Sequence, residues 1–65
     1  MIDSETLRHI VLKYEAEQEK ITFFLADGNA KTYEQYRELC GQLRGLDIAI
    51  TVISDLAKSL EDNDD

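Results

Sequence analysis

The sequence predicts an all-α fold, an antiparallel hairpin of two long helices, and three observations carry that expectation. Proline is absent, and glycine occurs only at Gly28, Gly41 and Gly45, so long uninterrupted helices are permitted. Apolar residues recur with helical spacing on both sides of a single break. That break, Asp27-Gly28-Asn29, is followed at once by a helix-start signature, Thr32-Tyr33-Glu34-Gln35.

In the first half, Leu7, Ile10, Val11, Tyr14, Ile21, Phe24 and Leu25 follow the i, i+3, i+4, i+7 spacing of one helical face. Glu17 and Gln18 interrupt this face by one turn. Asp3 or Ser4 can cap the start by accepting from free backbone N–H groups, and Asp3 and Glu5 suit the positive end of the helix dipole. The first helix is expected over about residues 3–26. Gly28 supplies the stop, because glycine reaches the left-handed conformation that closes a helix without steric cost.

Thr32 and Gln35 fit a capping box, with Gln35 reaching back to the N–H of Thr32. The second helix is expected over about residues 33–61. It carries the most regular pattern in the chain: Tyr36, Leu39, Leu43, Leu46, Ile50, Ile53, Ala57 and Leu60 alternate steps of three and four, a coiled-coil-like seam for a core or an oligomer. Ile48 and Val52 project to other faces, so the stretch from Leu46 to Leu56 is apolar nearly all round and one partner helix cannot cover it. The β-branched run Ile48, Ile50, Thr51, Val52, Ile53 also permits a strand reading. The connection of about six residues favours antiparallel helices. Residues 1–61 are read as one domain and residues 62–65 as an acidic, disordered tail.

A domain of 65 residues buries too little surface to be comfortable alone. With Cys40 the only cysteine and His9 the only histidine, neither a disulfide nor a structural zinc site can supply the missing stability. Association with a second copy or another protein is therefore expected. The net charge of −7 has the wrong sign for gripping phosphates, which argues against direct nucleic-acid binding. No apolar run is long enough for a membrane span and no secretory signal is evident, so the expectation is a soluble protein of a reducing cytoplasm.

No catalytic, cofactor or metal site is expected. His9 reads as a boundary or surface residue, and Cys40, beside Leu39 and Leu43, as a small hydrophobe of low reactivity. Glu15, Glu17 and Glu19 stand at alternate positions and do not face one another on a helix. Glu17 either reaches a cation or marks where packing stops. Arg37, Arg44 and Lys58 share one line of the second helix, with Glu34, Asp47 and Asp55 three residues away for surface pairs. Gly41 and Gly45 stand one turn apart in mid-helix, each costing about 1 kcal/mol relative to alanine. Their compensation is either close approach by another helix or a docking groove for a partner, formed by Gly41, Arg44, Gly45, Ile48, Val52 and Leu56.

The stretch from Phe24 to Leu56 resembles a group of short proteins of tailed bacteriophages. The resemblance is carried by Leu25 with Gly28, Tyr33 with Tyr36, and Leu39-Cys40-Gly41-Gln42-Leu43-Arg44-Gly45-Leu46. It implies a phage origin and a place among head and packaging proteins, in the virion or the host cytoplasm. It supplies no catalytic residue. The expected function is a virion structural or head-assembly component that binds a capsid or portal-region protein through the second helix. The alternative is an acidic helical inhibitor that occupies the basic groove of a host nucleic-acid-binding or defence protein.

Overall fold

A computed structural model describes residues 2–62, which form two helices, α1 (Ser4–Ala26) and α2 (Tyr33–Asp62). The helices pack side by side and antiparallel in a rod of 51 × 17 × 15 Å, with no strand among the described residues. Ile48 to Ile53 is helical. Within it the Thr51 hydroxyl donates to the Asp47 carbonyl one turn back, at 3.0 Å.

Each helix end has an identifiable chemical cause. Asp3, in an extended conformation, caps α1 by accepting from the Thr6 N–H at 2.8 Å. That bond holds the Asp3 carboxyl below its ordinary pKa. At the other end Gly28 takes φ +74 and donates to Leu25 O at 3.0 Å, while Asn29 donates to Phe24 O at 3.2 Å. Those two bonds are the Schellman closure, and only glycine adopts its central conformation freely.

Thr32 caps α2, its hydroxyl accepting from the Gln35 N–H at 3.0 Å. The reciprocal half of the box differs from the sequence expectation: Gln35 reaches past Thr32 and accepts from the Lys31 N–H at 2.7 Å. At its far end α2 includes Asp62, which was expected in the tail; residues 63–65 lie outside the described residues.

The core is thin. Leu7 and Ala57 are its only buried residues among those described, at 5% and 0% exposure. Around them Ile10, Val11, Tyr14, Ile21 and Leu25 of α1 meet Leu39, Leu43, Leu46, Ile50, Ile53 and Leu60 of α2, all half-buried. Tyr36 and Phe24, both at the loop end of the hairpin, are the exceptions to the expected apolar faces, at 49% and 38% exposure. An α-helix of 3.6 residues per turn drifts about 20° per heptad from a 3.5-residue pattern, which carries Tyr36, the first position of the α2 pattern, off the contact line. In α1 the seam passes through half-buried Gln18, whereas Glu17 stays exposed at the edge of the inter-helix groove and pairs with Lys20 at 3.2 Å.

The free end of the hairpin is tied by Arg8, whose Nε and Nη2 donate to the two oxygens of Glu61 at 2.8 and 2.7 Å. The pair lies 53 residues apart in sequence and bridges the two helices at the level of Leu7. Its hydrogen bonds lower the Glu61 pKa and raise that of Arg8. Both side chains are well exposed, so this fork contributes direction more than stability.

Candidate interaction surface

The residues singled out on α2 fall on two sides of the helix. Leu39, Leu43, Leu46, Ile50, Ile53 and Leu60 face α1, as the seam predicts. Gly41, Arg44, Gly45, Ile48, Val52 and Leu56 are all exposed. Ile48, Val52 and Leu56 keep 57%, 60% and 50% of their surface in contact with solvent. Spaced four residues apart, they form a continuous apolar ridge roughly two turns long.

The glycines flank that ridge. A Cβ built on Gly41 or Gly45 meets no atom within 4 Å, so close approach by α1 is not what they serve. Gly45 instead borders a shallow groove of about 450 Å³ between the helices, lined by Tyr14, Glu17, Ile21, Gln42, Leu46 and Ala49. A smaller groove of about 300 Å³ adjoins it toward the loop, between Ile21 and Phe24 of α1 and Gln35 and Leu39 of α2. The two mid-helix glycines cost roughly 1 kcal/mol each in helix propensity, and no close helix contact within the hairpin offsets it.

The charges around this face are largely unpaired. Among the described residues the ion pairs are Arg8 with Glu61 and Lys20 with Glu17. The surface pairs expected for Arg37, Arg44 and Lys58 with acids three residues away do not form, and Arg37 instead lies over the Tyr33 ring at 6.0 Å. Arg44 thus stands free at the edge of the apolar ridge.

The remaining chemistry-bearing residues are dispersed. His9 is exposed and shares a shallow depression on α1 with Asp3, Thr6, Arg8 and Leu12. Cys40 is a free, half-buried thiol on α2. Among the described residues no three His, Cys, Asp or Glu side chains converge in a metal-binding arrangement, and no helix is long and apolar enough to cross a membrane.

Two features escaped the sequence pattern. Leu12 and Phe23 lie on the outer side of α1 at 63% and 60% exposure, isolated by Ala16 and Glu19 between them. The second is the open space over Gly41 and Gly45, which spacing alone cannot distinguish from a helix contact. No family model matches this chain, and no curated protein or solved structure matches it either.

Proposed function

We propose that this chain is a non-catalytic phage protein, a virion structural or head-assembly component that binds a capsid or portal-region protein through α2. The observation that carries the reading is the exposed face of Gly41, Arg44, Gly45, Ile48, Val52 and Leu56 on a helix whose opposite side already holds the core. An apolar ridge in water is a cost that association removes, at about 25 cal/mol per Å² of apolar surface covered. The phage assignment rests on the resemblance carried by Leu39 to Leu46.

Quantitative mass spectrometry of proheads and mature particles from the source phage tests this. A fixed copy number per portal or capsid subunit is expected in at least one of them. Absence from both sinks the reading.

The acidic-inhibitor alternative has one observation in its favour: every described aspartate and glutamate is exposed, and the net charge is −7. Such a mimic loses affinity steeply as salt rises, whereas an apolar α2 contact keeps it.

A further inference from the structure

We propose that the occupant of the exposed α2 face is a second copy of this chain, packed antiparallel across a two-fold axis that passes between Ile48 and Ala49. The inference rests on the reading of α2 as the association face and is independent of the phage assignment.

The first support is area. A compact monomer of 7.5 kDa exposes about 4,250 Å² by the usual scaling of surface with mass. This chain exposes 5189 Å², an excess of about 940 Å², because two helices in a rod leave no third element to cover either outer side. A stable two-protein interface takes roughly 800 Å² from each partner. The excess, shared between the two outer sides, is of the same order as one such patch.

The second support is shape. Residues four apart on a helix form a row, and two adjacent rows on this face have opposite relief. Gly41, Gly45 and Ala49 make a trough, and Ile48, Val52 and Leu56 make the ridge beside it. A two-fold axis between Ile48 and Ala49 lays Leu56 of each copy over Gly41 of the other, Val52 over Gly45, and Ile48 beside Ala49. One symmetry operation satisfies all three pairings, as a self-complementary patch requires. Ridges of this spacing interlock at a crossing angle of about −50°. The glycines, which serve no close helix contact inside the hairpin, then provide the space that the ridge of the second copy fills.

Charge is the third. Arg37 and Arg44 precede the axis, and Asp55 and Asp62 follow it, on one line of α2 beside the ridge. The same axis brings Arg44 of each copy within side-chain reach of Asp55 of the other, while Arg37 and Asp62, farther from the crossing point, splay apart. None of these four has an ion-pair partner among the described residues of the hairpin. Two hairpins joined this way make a four-helix assembly, and a head protein that binds the same face does so by exchange with the second copy.

Sedimentation equilibrium on the full chain, over a range of concentrations, tests the inference. The expected mass is twice 7.5 kDa. The Cβ of Gly45→Leu meets no atom of the hairpin within 4 Å and the open groove beside it leaves room for the rest, so helicity by circular dichroism is retained while self-association weakens by roughly a hundredfold or more, the clash being repeated at two places. Adding Val52→Ala to Gly45→Leu removes the opposing side chain and recovers most of the loss; adding Phe23→Ala on the outer side of α1 recovers none. A wild-type chain that stays monomeric, a trimer or larger assembly, or a Gly45→Leu chain that still dimerises overturns the proposal. A monomer that nevertheless enters phage heads through α2 overturns the dimer alone; a dimer absent from phage heads overturns the assigned function alone.

Discussion

Leu7→Ala is expected to lower the stability of the hairpin by about 2–5 kcal/mol, the range for removing a buried leucine and leaving the space behind it. Leu7 is the only large side chain among the described residues that the fold covers, at 5% exposure, and it sits on the level of the Arg8–Glu61 fork that closes the open end. A chain of this length has roughly 3–10 kcal/mol of stability in total, so the loss is a large fraction of it. The melting temperature, followed by circular dichroism at fixed protein concentration, drops by roughly 10 °C or more. Leu12→Ala, at 63% exposure on the same helix, is the control and shifts it little. Equal effects of the two substitutions would show that the core does not lie where the structure puts it.

Ala57→Leu is expected to destabilise for the opposite reason. Ala57 has no exposed surface, so an added isobutyl group has nowhere to go except between the helices. Overpacking of this kind costs about 1–3 kcal/mol. The helices separate at the end where the fork must span them, and the short Arg8 contacts to Glu61, 2.7 and 2.8 Å, are lost with the packing. The check is a paired melt. Ala57→Leu and the double variant with Glu61→Gln have nearly the same midpoint, because the fork is already broken in the first. In the wild-type background Glu61→Gln lowers the midpoint slightly and removes part of the acid sensitivity. The depressed Glu61 pKa means that the contribution of the fork is complete above the ordinary glutamate value and is lost as pH falls below it.

Much of this fold is legible in the residues. Gly28 and Thr32 mark the two ends of the connection because each does a job few other residues do: one enters the left-handed region, the other satisfies a free N–H at a helix start. The seam from Leu39 to Leu60 follows from periodicity, since a half-buried helix in a two-helix hairpin has only one side to hide. What periodicity does not carry is distance. It placed Tyr36 in the seam and could not single out Ala57 as the point of full burial, because accumulated helical drift and the separation of the helices depend on both partners at once.

The exposed face that we propose for association was legible in part. Ile48, Val52 and Leu56 stand off the seam by simple counting, and the structure leaves them exposed. The glycine pair was ambiguous, because a groove for α1 and a groove for another molecule require the same spacing. Only the open space above Gly41 and Gly45 separates the two. Gln18 and Glu17 were likewise inseparable in sequence, one polar residue entering the seam and its neighbour staying exposed at the groove edge beside Lys20.

The central claim is that the outer face of α2 is covered when the protein is in its working state, and thiol labelling tests it most directly. Val52→Cys and Leu12→Cys, each in a Cys40→Ala background, place a thiol at positions of 60% and 63% exposure in the hairpin. Slow labelling of Val52→Cys beside fast labelling of Leu12→Cys, with the difference abolished by Gly45→Leu, is the predicted result. Equal rates at the two positions at every protein concentration would contradict the account.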